Sequence, residues 1–228
     1  MTSEVAIVDC DAPVALKRCR NPLYLSWLSR EQRALTLLAH CGLPVPRLLD
    51  AAETDGGRER WLVMSRLPGK NLRTELQAAS PRRRVALYRR VGELLRALHA
   101  TPAPEGFMSE VPWIDRQLAQ AQDNLAWCDG TAELLADLHR RRPALVPEVL
   151  IHGDLGLDNV LVDTDGTMSL IDWSGGDIGD PRSDISLAIR TETTNVSQDE
   201  LAAFWDGYGA APLDERTQQW FEQLYEFF

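Results

Sequence analysis

Ile151-His152-Gly153-Asp154-Leu155-Gly156-Leu157-Asp158-Asn159 leads into the apolar run Val160-Leu161-Val162-Asp163. The turn Thr164-Asp165-Gly166-Thr167 and a second apolar run, Met168-Ser169-Leu170-Ile171-Asp172, follow. Asp-Gly between two apolar runs is a strong hairpin signal. Centring the turn on Asp165-Gly166 pairs 164 with 167, 160 with 171 and 159 with 172. Asn159 then faces Asp172 at the open end, where opposed Cα atoms lie about 4.5–5.5 Å apart. Two oxygen-bearing side chains at that spacing suit a hard cation such as Mg2+. Asp154, five residues before Asn159 on a glycine-containing loop, suits a group that receives a proton. A lone Asp in a loop more often caps a turn. A His-Gly-Asp, an Asn five on and an Asp across a hairpin ask for more than turn capping.

Upstream, Ser3–Asp9 and Val14–Arg20 read as strands joined by a turn at 9–13. A helix is expected over Arg30–His40, with Ser29 and Gln32 as a capping box and Gly42 as its stop. Pro44 and Pro46 force extended chain into Arg47–Ala52, and Trp61–Ser65 is an apolar strand. Leu67-Pro68-Gly69 breaks this β-β-α-β-β pattern. Ser80-Pro81 then caps a helix along which Val85, Tyr88, Val91, Leu95 and Leu98 step at helical spacing. Further helices fall near 112–127 and 131–141. The chain reads as α+β, with a small β-rich lobe over 1–66 and a larger, mainly helical lobe over 67–228.

With 228 residues, 44% hydrophobic and 25% charged, the chain is globular rather than disordered or coiled-coil. Up to Arg142 there are 21 basic and 17 acidic residues; from Pro143 onward there are 3 and 17. Such an acidic stretch repels nucleic acid and anionic membrane and attracts cations, although charge alone reads more often as a merely solvated acidic surface. Only Lys17 and Lys70 are lysines, which singles each out; Lys70, after a Pro-Gly turn, reads as surface. Four cysteines without CxxC spacing exclude zinc-finger and thioredoxin-like sites and suit reduced thiols. No secretory signal and no apolar run near 18 residues is present, so a cytoplasmic protein, monomer or weak dimer, is expected.

His152-Gly153-Asp154 with Asn159 resembles the catalytic loop of kinase-like small-molecule phosphotransferases. Ile171-Asp172 resembles their metal-binding segment, in the place of the protein-kinase Asp-Phe-Gly. His-Gly-Asp-Leu-Gly-Leu-Asp-Asn, Gly179-Asp180-Pro181-Arg182-Ser183-Asp184 and the ending Leu224-Tyr225-Glu226-Phe227-Phe228 resemble aminoglycoside 3'-phosphotransferases, from about residue 3 to the last. The resemblance implies a bilobal protein-kinase-like fold and transfer of the γ-phosphoryl group of ATP or GTP to an aminoglycoside hydroxyl, with antibiotic resistance as the outcome. It implies Asp154 as the catalytic acceptor of the hydroxyl proton, and Asn159 and Asp172 as Mg2+ ligands. Lys17, in the strand Val14-Ala15-Leu16-Lys17, would hold the nucleotide phosphates and Glu31 would pair with it. Ser65 and Leu67, at the lobe boundary, would read the base through backbone groups. Asp158, Glu226 and the Phe228 carboxylate would hold ammonium groups of a small cationic substrate. His152, Asp180, Asp184 and Arg190 would act as supports.

Rival readings are a kinase of the same fold acting on a macrolide, choline-like or sugar hydroxyl, and a non-catalytic binding protein. The acidic, aromatic ending favours a polycation, and the intact Lys17, Asp154, Asn159 and Asp172 argue against binding alone. Family members begin with a strand and a phosphate-covering loop ahead of the strand matching Ser3–Asp9. This chain starts inside or just after that loop, so an incomplete first lobe is expected, with Thr2-Ser3 as the remnant near the phosphates.

Overall fold

Two short strands build the first layer, the second of them burying alternate residues toward its end. In the computed structural model, which describes residues 3–9, 11–107, 109–190 and 195–228, β1 (Glu4–Val8) pairs antiparallel with β2 (Val14–Cys19). Thr2, and Cys10 of the first turn, lie outside the described residues. Lys17 and Cys19 of β2 are buried, whereas β1 is exposed along its length. Helix α1 (Leu25–Leu38) follows, with Leu28, Glu31, Ala34, Leu35 and Leu38 buried along one stripe. It starts five residues before the expected Arg30, and the capping box at Ser29 is not formed. The Asn21 side chain accepts the Leu23 N–H at 3.1 Å, and the Asn21 carbonyl accepts from Tyr24 at 2.9 Å. This Asx turn launches the helix early. Ser29, now inside it, donates back to the Leu25 carbonyl at 3.1 Å.

Strands β3 (Leu48–Thr54) and β4 (Glu59–Ser65) complete a four-stranded sheet of order β1-β2-β4-β3. The register sets Lys17 opposite Leu62, and both are buried. The two-residue β5 (Lys70–Asn71) and α2 (Leu72–Ala78) come next, with Lys70 exposed. Ser80 accepts the Arg83 N–H at the start of α3 (Pro81–His99). Helices α4 (Trp113–Asn124) and α5 (Ala132–Arg140) lead to β6 (Val149–Ile151).

The hairpin formed by β7 (Val160–Val162) and β8 (Met168–Leu170) differs from its expected register by one residue. Val160 pairs with Leu170 and Val162 with Met168, so Asn159 stands opposite Ile171, not Asp172. The loop holds three residues rather than two. Gly166 donates to the Asp163 carbonyl at 2.9 Å and adopts φ +85°, and Asp163 then pairs with Thr167. That is a tight turn closed by a left-handed glycine, the usual three-residue hairpin solution. β9 (Asp177–Gly179), α6 (Pro181–Ala188), α7 (Gln198–Tyr208) and α8 (Glu215–Tyr225) complete the chain.

Two compact units result: Met1–Ala78 with His152–Asp177, and Ala79–Ile151 with Ile178–Phe228. The hairpin therefore groups with the first unit instead of with the residues after 67. β5 pairs with β7, Leu170 donates to the Pro44 carbonyl at 2.9 Å, and α1 packs on the turn after Asp172. In the second unit Trp113, Leu118, Leu138, Trp220, Phe221 and Phe227 form the core. There α3 and α7 cross on glycine: a Cβ on Gly92 would sit 2.1 Å from the Phe204 carbonyl oxygen. Among the described residues no helix is long and apolar enough to cross a membrane.

Candidate active site

The side chain of Lys17 emerges on the face of the first sheet that α1 covers. Its Nζ lies 2.6 Å from Glu31 Oε2 and 2.8 Å from Asp172 Oδ1, so one ammonium serves two carboxylates. Burial acts to lower the Lys17 pKa, but the two carboxylates outweigh it and hold the ammonium above its ordinary range. Glu31 is 2% exposed, and burial pushes its carboxyl upward against the pull of Lys17. The backbone N–H of Trp173 also donates to Glu31, tying α1 to the residue after Asp172. Asp172 adopts φ +63°, ψ +68°, a left-handed conformation that Asp tolerates better than most residues.

Close backbone packing shapes the loop beside it. Gly153 has φ +78°, and a Cβ there would lie 2.1 Å from the Gly175 carbonyl oxygen. The His152–Asp154 loop therefore rests directly on the turn that follows Asp172. His152 is fully buried; its Nδ1 accepts the Asp154 N–H at 3.3 Å, which leaves Nε2–H to donate to the Ile171 carbonyl at 2.9 Å. These two bonds select one neutral tautomer. Its ring packs on Trp173 at 4.7 Å between centroids. Asn159 Nδ2 donates to the Asp154 carbonyl at 2.7 Å and to Asp154 Oδ2 at 3.2 Å. The amide nitrogen is thus committed to Asp154, and the amide oxygen is left for another partner.

Lys17, Glu31, Asp154 and Asp172 line one cavity of about 180 Å3, with Trp27 and Ser174 among its other walls. It sets an ammonium, suited to anions, beside carboxylate oxygens, suited to a hard cation. Among the described residues no group of three or more His, Cys, Asp and Glu could enclose a metal alone. Oxygen donors of this kind suit a magnesium-type ion completed by phosphate oxygens and water.

The other nominated residues fall as follows. Ser65 ends β4, and Leu67 follows two residues on. Asp158 is ion-paired to Arg73 Nε at 2.9 Å, a contact that sequence reading missed because the partner lies 85 positions away. The remaining ones belong to the second unit. Asp180 caps α6 through the Arg182 N–H at 3.0 Å and takes the Arg182 guanidinium as well. Asp184, fully buried, lies 3.3 Å from His99 Nε2. Arg190 pairs with Glu226, and Phe228 is 36% exposed beside the fully buried Phe227. Ser3, half of the remnant expected near the phosphates, also lines the cavity, as do Cys19, Tyr24 and Leu28, which no motif in the sequence marks.

Residues 2–220 match a family model described as the phosphotransferase enzyme family. The chain belongs to that family. It is 30% identical over 224 residues to an aminoglycoside 3'-phosphotransferase of Streptomyces fradiae, covering 88% of this chain and 80% of that one. It is 32% identical over 197 residues to one of Niallia circulans, covering 82% and 73%. A crystal structure of an aminoglycoside 3'-phosphotransferase of type VIII superposes with a TM-score of 0.77 at 26% identity, over 100% of this chain and 94% of that one. The family's kinase-like α+β fold is therefore the fold of this chain. A macrolide 2'-phosphotransferase from Brachybacterium faecium, at 18% identity and a TM-score of 0.61, shares that fold alone.

Proposed function

We propose that this phosphotransferase moves the γ-phosphoryl group of ATP to a hydroxyl of an aminoglycoside antibiotic and so confers resistance. The observation that carries the reading is the single cavity shared by Lys17, Glu31, Asp154 and Asp172 in a chain about 30% identical to aminoglycoside 3'-phosphotransferases. Lys17, oriented by Glu31, binds the nucleotide phosphates. The Asp172 carboxylate and the Asn159 amide oxygen would hold Mg2+, which supplies charge neutralisation across the phosphates when bound. Asp154 orients the acceptor hydroxyl and takes its proton. A new bond forms between that oxygen and the γ-phosphorus, the bond to the β–γ bridging oxygen breaks, and the nucleoside diphosphate leaves. Such transfers pass through a loose transition state, so positioning contributes more than the basicity of Asp154.

Asp158, Glu226 and Phe228 are the residues assigned to the substrate, and charge-assisted hydrogen bonds from its ammonium ions to the two carboxylate side chains are the strong kind. Arg73 and Arg190 pre-orient Asp158 and Glu226 and compete with the substrate for them. His152, with the tautomer set above, holds the Asp154 backbone; Asp180 and Asp184 brace the segment after Gly179. The test is turnover of ATP by the purified chain with Mg2+ across a panel of aminoglycosides, macrolides and small alcohols. Phosphorylation of aminoglycosides alone is expected. Asp154→Ala should cut turnover by about 10^2–10^4-fold, with nucleotide affinity within a few-fold of the parent. Preferred turnover of a macrolide or small alcohol, or near-parental turnover by Asp154→Ala, would remove the corresponding assignment.

A further inference from the structure

We propose that the Ser65 hydroxyl is a positioning group that keeps its own backbone carbonyl open for the 6-amino group of adenine, so that the chain favours ATP over GTP. The proposal rests on the phosphotransferase reading, with the base lying along residues 65–67. Opposed residues of a hydrogen-bonded antiparallel pair normally exchange both backbone bonds. The Ser65 N–H donates to the Arg47 carbonyl at 2.9 Å, which makes 47 and 65 such a pair. The return bond is diverted: the Arg47 N–H donates at 2.9 Å to the Ser65 hydroxyl. One residue on, the Arg66 N–H points the other way, to the Pro13 carbonyl at 3.1 Å. Extended backbone alternates direction, so the Ser65 carbonyl and the Leu67 N–H face the same side.

Nothing in the neighbouring chain continues the pairing there. Pro46 has no N–H, and the Val45 N–H turns back to the Leu43 carbonyl at 2.9 Å. Residues 65 and 67, both half-buried, thus present an acceptor followed by a donor. Adenine offers the complement, its 6-amino donor beside the N1 acceptor. Guanine reverses both, setting O6 against the carbonyl and N1–H against the Leu67 N–H. Without the Ser65 hydroxyl, the ordinary exchange of an antiparallel pair returns the Arg47 N–H to the Ser65 carbonyl, which would then be occupied.

The experiment is calorimetric titration of the full chain, and of its Ser65→Ala and Ser65→Thr variants, with ATP, GTP and purine riboside triphosphate, which lacks the 6-amino group. The parent should bind ATP about 2- to 10-fold more tightly than purine riboside triphosphate, the range for one hydrogen bond. Ser65→Ala should bring that ratio to near one and narrow the preference for ATP over GTP. Ser65→Thr, which keeps the hydroxyl, should restore both. A Ser65→Ala variant in which all three affinities fall by the same factor would overturn the proposal, because general loss of packing gives that result. A parent blind to the 6-amino group would overturn it equally. A parent that binds none of the three nucleotides would overturn the phosphotransferase reading beneath it, an outcome distinct from either of these.

Discussion

Lys17 holds apart two carboxylates that would otherwise face each other with nothing between them. Removing one partner of a buried ion pair costs about 3–5 kcal/mol, mostly for the charge left behind. Lys17→Met should therefore lower the unfolding temperature sharply, and Lys17→Met/Glu31→Gln should recover most of that loss without recovering turnover. Thermal melts and phosphotransfer assays on the two proteins check this. The pH dependence has a definite sign. The Glu31 carboxyl is raised in the folded protein by burial, so folding favours its protonated form, and it is raised further once Lys17 is gone. The deficit of Lys17→Met should be smallest below the parent's raised folded value and grow as pH rises through it toward the higher value of the variant. A deficit constant across that window would remove Glu31 as its cause. At this scale the sequence is informative, since a rare lysine, a His-Gly-Asp and an Asp after an apolar run can each be named from spacing. The left-handed backbone of Asp172 and the Arg73 contact to Asp158 are not readable, because long-range contacts create both.

Glycine contacts decide how the loop meets the turn beneath it. Gly153→Ala meets a positive φ and a carbonyl oxygen 2.1 Å from the new Cβ, and neither can be relieved by turning a side chain. A strained non-glycine residue costs about 1–3 kcal/mol. We expect that loss in the variant, with turnover falling further because Asp154 is the next residue. Gly156→Ala is the matched control: φ is −77° and nothing lies within 4 Å of an added Cβ, so it should stay within about 0.5 kcal/mol of the parent. Denaturant melts and single-turnover rates on both variants separate a site-specific effect from a generic glycine effect. Equal losses at the two positions would contradict the packing argument. Elements with a period or a cap, such as α3 behind Ser80, were legible in the sequence. The hairpin register was not, because Asp-Gly serves two-residue and three-residue loops alike and the bond from Gly166 to Asp163 chooses between them.

Across the whole molecule, each unit carries a polar anchor of its own. In the second, the Arg84 guanidinium grips both oxygens of Glu200, which also closes the capping box of α7 with Ser197. Burial works to raise the Glu200 carboxyl, but the bonds from Arg84 and Ser197 win and hold it below its ordinary range. Its contribution is present above the unfolded value near 4.5 and is lost as pH falls through the folded one. Glu200→Gln should thus lower stability at neutral pH and flatten its decline in acid, as urea melts carried from neutral pH to well below 4.5 would reveal. A parallel decline in parent and variant would exclude Glu200 from acid unfolding. The interleaving of the units was the least legible feature, since β5, only two residues long, has no period to betray its pairing with β7. That interleaving sets an order of events during synthesis. The first four strands and α1 leave the ribosome long before the hairpin that completes their unit, because the stretch from Ala79 to Asp177 must be translated first. At about 5–20 residues per second this interval lasts roughly 5–20 s. For that time Lys17 and Glu31 wait without Asp172, and the nascent sheet is the species that a chaperone or a neighbouring nascent chain would meet.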